Sequence, residues 1–358
     1  MAFITTAGGT CIDFKNTPAD PNSFGPSLGG DAALNNVRLN IAMEHGWAVA
    51  GAQLVTLVGR GDPVGWAETN AKYNLAPLGC GWEEFVMRGL RGDNQNPDAQ
   101  VLNPNLIHDG PARFAVWEIV QGGGLVVEAN NAGQPTDLYL KIPQARPTGK
   151  DIILLASAAT TAAFDDIGHH LAPALNDNAL MILSPNTRNL ATDEYNEKLS
   201  RQKDKSHLVV VSRSDIIKMY PGSSEEDALT MLKGDVVHRR RRVLMVTRGE
   251  TGIDFYQPGQ QQPVHMDSLR LPGVRDSVGA GGGALTGAIL AFAELGVHSL
   301  NDLLAMRPND FKLVGGTAAI FAAYHLASQN AALKSKMKFP QPQRVVNGFI
   351  GSKLELTA

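Results

Sequence analysis

The chain has little cysteine and no strong excess of charge of either sign. Its 358 residues include only Cys11 and Cys80, so a disulfide framework is excluded and a reducing, cytoplasmic setting is expected. Thirty-two basic and 35 acidic side chains leave a net charge of −3, which predicts neither nucleic acid nor an anionic membrane as partner. No apolar run approaches the ~18–20 residues that a membrane span requires.

One basic run departs from this even balance. It is H-R-R-R-R at 238–242, directly before the apolar segment 243–246. We interpret the run as a solvated approach to a strand, in preference to a nucleic-acid patch.

Short apolar runs alternate with longer segments of helical pattern. This alternation is typical of a mostly parallel sheet with helices on both faces, and ligands of such folds bind at the carboxyl ends of the strands. The predicted strands are 55–58, 152–156, 180–183, 208–211 and 243–246. The predicted helices are 34–45, 162–175, 225–232, 284–295 and 316–332. Residues 113–129 predict a β-hairpin around Q-G-G-G.

The most informative stretch is D-S-V-G-A-G-G-G-A-L-T-G-A-I-L, from Asp276 to Leu290. It predicts a glycine-rich turn, 279–283, that leads into a helix of small residues. Closely spaced N–H groups at a helix N-terminus form an anion hole suited to a phosphate. The alternative interpretation of the glycines is tight packing of the helix.

This stretch resembles the C-terminal signature of the ribokinase/PfkB family of sugar and nucleoside kinases, D-T-x-G-A-G-D-x-F-x-G. The resemblance implies an anion hole formed by Gly279, Ala280, Gly281 and Gly282. Gly282 stands where the family has its catalytic Asp. Asp276 is implied either as a ligand of a monovalent cation such as K⁺ or as a turn cap.

Further elements resemble the substrate-binding motifs of the family. G-G-T-C-I-D-F places Asp13 at the end of a strand, and S-L-G-G-D-A-A-L-N-N is similar to the G-G-x-x-x-N helix start. L-S-P-N-T-R-N is similar to D-x-N-x-R, with Ser184 in the place of the Asp. The substrate-binding residues implied by these motifs are Asp13, Gly29, Gly30, Asp31, Asn35 (or Asn36) and Arg188.

Three elements resemble motifs for nucleotide and metal. Besides L-S-P-N-T-R-N, these are V-V-S-R-S-D, similar to N-x-x-E, and T-R-G-E-T-G, similar to T-x-G-x-x-G. They imply ATP as the phosphoryl donor and Mg²⁺ held by Asp215 through water, although a helix cap is the alternative role for that aspartate. The implied nucleotide-binding residues are Asn186, Ser212, Asp215, Thr247, Gly249 and Gly252.

The order of these motifs along the chain implies a ribokinase-like three-layer α/β sandwich over residues 1–358. Its central sheet is mainly parallel, and a small β lid comes from parts of 13–30 and 110–135. The resemblance also implies a homodimer.

The implied function is ATP- and Mg²⁺-dependent phosphoryl transfer to a hydroxyl of a sugar or sugar acid. Because glycine accepts no proton, the general-base contribution of roughly 10²–10⁴-fold is absent, and activity is expected to be impaired or lost. The alternative is a catalytically inactive pseudokinase that binds a sugar, a nucleotide or a protein partner.

Overall fold

The computed structural model describes residues 1–17, 20–56, 58–91, 107–120, 123–130, 151–156, 179–185, 193–269, 277–329 and 339–342. Its strands are β1 Ala2–Gly8, β2 Cys11–Thr17, β3 Asp20–Gly29, β4 Val49–Val55, β5 Val58–Gly61, β6 Ile107–Pro111, β7 Phe114–Val120, β8 Gly123–Asn130, β9 Asp151–Ala156, β10 Leu180–Ser184, β11 Leu208–Ser212, β12 Val243–Thr247, β13 Ile253–Tyr256 and β14 Val264–Met266. Its α-helices are α1 Asp31–Glu44, α2 Trp66–Tyr73, α3 Trp82–Arg91, α4 Asp193–Lys205, α5 Arg213–Met219, α6 Glu225–Lys233, α7 Ala280–Glu294, α8 Leu300–Ala305 and α9 Pro308–Gln329.

Eight of these strands form a central sheet in the order β14-β13-β12-β11-β10-β9-β1-β4. All neighbours from β12 to β4 pair in parallel, and β13 and β14 add an antiparallel edge. The carboxyl ends of the parallel strands therefore meet at one edge of the sheet, where α/β proteins of this kind bind ligands.

Both faces of this sheet are covered, which explains why its strands are continuous apolar runs. Successive side chains of a strand point to opposite faces. On β11, Leu208 and Val210 pack into one core together with residues of α1, α7 and α9. Val209 and Val211 pack into a second core with residues of α5 and α6.

A second, four-stranded sheet has the order β3-β2-β7-β8. Its strands lie within 11–29 and 114–130, ranges that overlap 13–30 and 110–135, from parts of which we predicted a lid. The predicted hairpin is the antiparallel pair β7–β8. Aromatic rings attach this sheet to α2 and α3: the ring centroids of Phe14 and Trp66 are 5.2 Å apart, and those of Trp66 and Trp82 are 4.7 Å apart. Aromatic pairs at such distances stabilise a contact beyond the area they bury.

Most of the predicted strands are confirmed, but one is wrong. The segment 55–58 is not a strand, because Val55 ends β4 and Val58 begins β5. The predicted helix 162–175 lies outside the described residues.

The last two predicted helices begin earlier than expected. Helix α7 starts at Ala280 and α9 at Pro308, because glycines that suggested boundaries lie inside the helices. Gly315 is one of them: a Cβ there would lie 2.8 Å from Cβ of Met266, so glycine allows α9 to approach β14 closely.

The basic run 238–242 is part of an ion-pair network. Nε of Arg240 lies 2.6 Å from a carboxylate oxygen of Asp204, and its guanidinium also pairs with Asp235. The side chain of Arg240 is only 7% exposed, so the expectation of a solvated run is wrong at this residue. Pairing with carboxylates is what allows a guanidinium to be buried.

In the part of the chain that the structure describes, no helix combines the length and the hydropathy needed to cross a membrane.

Replacing Gly287 with Ala is expected to lower the free energy of unfolding by about 1–3 kcal/mol, the usual cost of overpacking. The new Cβ would lie 2.6 Å from the backbone oxygen of Thr317 on α9, which has no room to move. Urea denaturation measures the change.

The matched control is Gly281→Ala on the same helix. A Cβ at Gly281 has no neighbour within 4 Å, so stability should be unchanged or raised by up to about 1 kcal/mol through helix propensity. Equal effects at the two positions would contradict the packing argument.

Candidate functional site

Several predicted site residues lie together at the carboxyl edge of the central sheet. Register places Gly8 beside Ala156, Ser184 beside Ala156, and Ser212 beside Thr247. The ends of β1, β9 and β10 are thus level with one another, and β11 and β12 end together two residues further on. The substrate and nucleotide motifs, which are far apart in sequence, share this edge.

Asp13 and the glycine pair before α1 are in direct contact. The Asp13 side chain is buried, and a Cβ at Gly29 would lie 2.4 Å from its carboxyl carbon. Gly30 has a φ of 94° and passes so close to the carbonyl oxygen of Gly9 that a Cβ would come within 2.3 Å of it. The two glycines therefore let the start of α1 approach both Asp13 and the end of β1.

The glycine-rich stretch is mostly helix, and the predicted turn 279–283 is wrong in extent. Within this turn only Gly279 is non-helical, with a φ of 85° at the N-cap, and none of the described side chains caps the helix. The N–H of Ala280 donates to the Ser277 carbonyl at 3.2 Å. The N–H groups of Gly281 and Gly282 lie in the first turn, where a helix offers them no acceptor, so they remain available to an anion.

Three glycines of the stretch are explained by packing. A Cβ at Gly279 would lie 2.4 Å from Nε2 of His325, one at Gly283 would lie 2.9 Å from the carbonyl oxygen of Phe321, and Gly287 meets α9 as described. The packing interpretation of the sequence thus holds for Gly279, Gly283 and Gly287. It does not account for Gly281, which faces open space.

Gly282 faces an arginine. A Cβ at Gly282 would lie 2.9 Å from Nη1 of Arg38 and 3.9 Å from Nδ2 of Asn35, both on α1. Nη1 of Arg38 is buried and has no hydrogen-bond partner among the residues that the structure describes. Position 282 therefore lies against a guanidinium nitrogen that no described residue satisfies.

The other terminal nitrogen of Arg38 is held by His325. Nη2 donates to Nδ1 of His325 at 2.9 Å, and Nε2 of His325 lies 3.1 Å from the Val278 carbonyl oxygen. These bonds fix the neutral tautomer with the proton on Nε2. Burial, then the charges of Arg38 and Lys15, lower the pKa of His325 to about 3 despite the bond to Val278.

Arg38 keeps its charge at neutral pH. Burial lowers its pKa to about 10, and the nearby Asp31 carboxylate acts in the opposite direction. Lys15 is a second cation of this region, since its Nζ lies 3.9 Å from Asp13. The site thus has two basic side chains beside its predicted carboxylates.

Asn35 connects α1 to α7. Its amide nitrogen donates to the Asp31 carbonyl at 2.7 Å, and its amide oxygen accepts from the Thr286 hydroxyl at 2.7 Å. The side chain is fully buried. Its nitrogen bonds within α1, and its oxygen makes the bond that joins α1 to α7. Its predicted contact with substrate stays a prediction.

The predicted nucleotide residues lie at the ends of β11 and β12. Ser212 and Asp215 form a reciprocal cap of α5: the Asp215 N–H donates to the Ser212 hydroxyl at 3.1 Å, and the Ser212 N–H to Oδ2 of Asp215 at 2.9 Å. This is the capping alternative for Asp215. Gly249 and Gly252 have φ of 59° and 110°, and they form the turn from Thr247 into β13.

Three predicted site residues, Asn186, Arg188 and Asp276, lie outside the described residues. Across the described ranges, no cluster of three or more His, Cys, Asp or Glu side chains is arranged to hold a metal ion.

Sequence reasoning missed Arg38, His325 and Lys15. Arg38 is seven positions after Asp31, so two helical turns place it on the same face of α1 as Asn35. That spacing was a usable signal. Nothing comparable in the sequence connects His325 with Gly279.

The arrangement of the two sheets and the helices defines the class of fold. A mainly parallel central sheet between helices, with a small separate sheet next to the carboxyl edge, is the ribokinase-like fold.

Comparison with solved structures supports this fold. The chain is similar to aminoimidazole riboside kinase from Salmonella enterica, crystallised with aminoimidazole riboside and an ATP analogue, at 14% identity and a TM-score of 0.62 over 97% of this chain and 99% of that one. It is similar to fructokinase from Xylella fastidiosa with bound ATP, at 15% identity and a TM-score of 0.64 over 99% of each chain. Ribokinase from Thermotoga maritima has 15% identity and a TM-score of 0.55, covering 98% and 100%. No protein-family model and no curated protein sequence matches the chain.

Stability is expected to fall as the pH is lowered from about 6.5 to 4. Burial, and then the charge of Arg242, hold the pKa of His207 at about 4, and the pKa of His325 is about 3, against 6.5 for a free imidazole. In this pH range the two imidazoles bind protons in the unfolded chain but stay neutral in the folded chain. The free energy of unfolding therefore falls as the pH falls. Urea midpoints across the range measure the slope.

His325→Gln is expected to reduce the pH dependence of the free energy of unfolding by the amount that corresponds to at most one bound proton. The matched control is His238→Gln, which changes an exposed histidine. A slope that does not respond to His325→Gln would contradict the assignment.

Proposed function

We propose that the chain is a carbohydrate kinase scaffold that binds ATP–Mg²⁺ and a sugar or sugar acid, with phosphoryl transfer impaired at Gly282. The observation that carries the proposal is the N-terminus of α7, where no side chain of the described residues caps the helix, Gly281 faces open space and Gly282 lies against Arg38 of α1. A helix N-terminus of this kind stabilises the negative charge of a transferring phosphoryl group. The kinases of similar fold were crystallised with ATP, ADP or an ATP analogue.

The substrate hydroxyls belong, in this proposal, beside Asp13. Its carboxylate lies at the carboxyl edge, under Gly29 and next to Lys15. A carboxylate accepts hydrogen bonds from hydroxyl groups, and Nζ of Lys15 lies 3.9 Å from this one.

The nucleotide belongs beside Ser212, Thr247 and Gly249. A magnesium ion keeps most of its water and binds substrate phosphates with one or two carboxylates. Asp215 fits this role only in part, because one of its oxygens already accepts from the backbone and hydroxyl of Ser212. When bound, the ion neutralises phosphate charge, and its contacts with the chain would run mainly through water.

Arg38 gives a specific reason to keep the second candidate, a binding protein without turnover. Glycine provides no general base, and the space beside Gly282 is bordered by a guanidinium in place of a proton acceptor. With glycine in place of an aspartate, the chain can still position a phosphoryl group and stabilise its charge, but it cannot remove the proton of the attacking hydroxyl.

Restoring the aspartate alone is expected to restore little activity. In Gly282→Asp, the carboxylate would pair with Nη1 of Arg38, and this pairing lowers the pKa of the carboxylate and weakens it as a base. The double variant Gly282→Asp with Arg38→Leu removes the pair. Its turnover should exceed that of Gly282→Asp by roughly 10-fold or more, within the range of general-base effects.

ATP turnover across a panel of sugars and sugar acids measures these rates, and calorimetry measures ATP–Mg²⁺ binding. Arg38→Leu alone is the matched control and should stay as slow as the chain itself. If the double variant also fails to turn over while ATP–Mg²⁺ binds, the pseudokinase candidate replaces the kinase. If no variant binds ATP–Mg²⁺, the nucleotide site is wrong.

A further inference from the structure

The amino edge of the central sheet carries a basic patch that the proposed function does not use. Helix α4 ends at this edge ahead of β11, and a π-helix, Gly234–Arg239, precedes β12 there. The candidate site lies at the opposite, carboxyl edge of the same strands. We define the amino-edge patch by five cations, Lys203 and the arginines 239–242, and two carboxylates, Asp204 and Asp235.

Three of these cations share the two carboxylates. Nζ of Lys203 and Nη2 of Arg239 each lie 2.6 Å from an oxygen of Asp235, and the guanidinium of Arg240 pairs with the same side chain. Asp204 contacts Arg240 as well. The N–H of Arg240 donates to the Asp235 carbonyl, five residues earlier, at 3.3 Å. This π-type bond places Arg240 over the turn that begins at Asp235.

The other two arginines are not neutralised in this way. Within the part of the chain that the structure describes, neither Arg241 nor Arg242 forms an ion pair. Nε of Arg242 is buried without a hydrogen-bond partner among the described residues. Arg241 is exposed, and its φ of 54° turns the chain from the π-helix towards β12. Both positive charges are therefore available to a ligand.

The neighbouring groups respond to this concentration of positive charge. Burial lowers the pKa of Lys203 to about 8, and the charges of Arg240 and Arg239 act in the same direction. Burial also lowers the pKa of Arg242, which the Asp204 carboxylate opposes and the charge of Arg240 reinforces. The whole chain has a net charge of −3. Since the patch contributes a surplus of three positive charges, the rest of the chain is more acidic than that total.

We propose that the amino-edge patch binds a compact oligophosphate, held mainly by the guanidinium groups of Arg239, Arg241 and Arg242. Guanidinium groups donate two parallel hydrogen bonds to phosphate oxygens, and several of them together match a ligand with several negative charges. A long polyanion such as nucleic acid would extend beyond the patch along an acidic protein, so the charge distribution favours a compact ligand. The inference does not rest on the proposed function.

The test uses inorganic tripolyphosphate without metal ions, and calorimetry measures its binding. Tripolyphosphate should bind at low ionic strength and more weakly as salt is added, because salt screens exposed charges. The double variant Arg239→Gln with Arg241→Gln changes two exposed side chains. It should weaken binding roughly 10- to 100-fold, the range expected when charge-assisted hydrogen bonds are lost.

The matched control is Arg88→Gln with Arg307→Gln. It removes the same charge from two exposed arginines, one on α3 and one directly before α9, each of which pairs with a carboxylate of its own. Its affinity for tripolyphosphate should stay close to that of the unchanged chain. Arg242→Gln is a further variant and should also weaken binding, with urea denaturation to establish that it folds.

A free oligophosphate and the triphosphate of a nucleotide share this chemistry, and metal-free ATP distinguishes them. If the double variant loses ATP binding that is tighter than tripolyphosphate binding, the ligand is a nucleotide. If the ATP binding that it loses is equal or weaker, the ligand is a free oligophosphate. Both results support the inference.

Two results overturn the inference. One is that the unchanged chain does not bind tripolyphosphate, or that the double variant and the control pair weaken binding equally. The other is that a single-stranded oligothymidylate binds more tightly than tripolyphosphate and is lost in the same double variant, because the partner is then a nucleic acid. Absence of ATP–Mg²⁺ binding in every protein would overturn the proposed function and leave this inference standing.

Discussion

The close contact between α7 and α9 is the constraint on which the site depends. Gly283 and Gly287 let the two helices approach until their backbones nearly touch, and His325 of α9 then lies under Gly279. Because the helices cannot shift without collision, the N-terminus of α7 is held in one place. The hydrogen bond from Thr286 to Asn35 in turn fixes the position of α1 relative to α7. The candidate anion site is thus a consequence of helix packing.

The same contact places a cation where a base is expected. His325, fixed against Val278, accepts from Arg38 and directs the other end of the guanidinium towards Gly282. A larger side chain at 282 would meet that nitrogen, so the glycine and the arginine are mutually compatible. The side chain that borders position 282 is therefore a hydrogen-bond donor and not a proton acceptor.

Sequence patterns predicted the strands of the central sheet well, because strands covered on both faces are continuous apolar runs and few alternatives fit them. They were wrong where a glycine can belong either to a turn or to a closely packed helix. Gly281, Gly282 and Gly283 suggested a turn, but they form the first turn of α7. Asp215 caps α5, the alternative role that the sequence left open, and its role as a metal ligand stays a prediction.

The sequence by itself determined the fold class, since the order of apolar runs and helical segments is compatible with few architectures. It also determined that position 282 has no proton acceptor, because that is a matter of residue identity. Only the tertiary structure decided what lies beside Gly282. Arg38, Gly282 and His325 are far apart in the chain, and their contact depends on how three helices pack at one edge of the sheet. No local pattern encodes such a contact, because packing is set by the whole core at once.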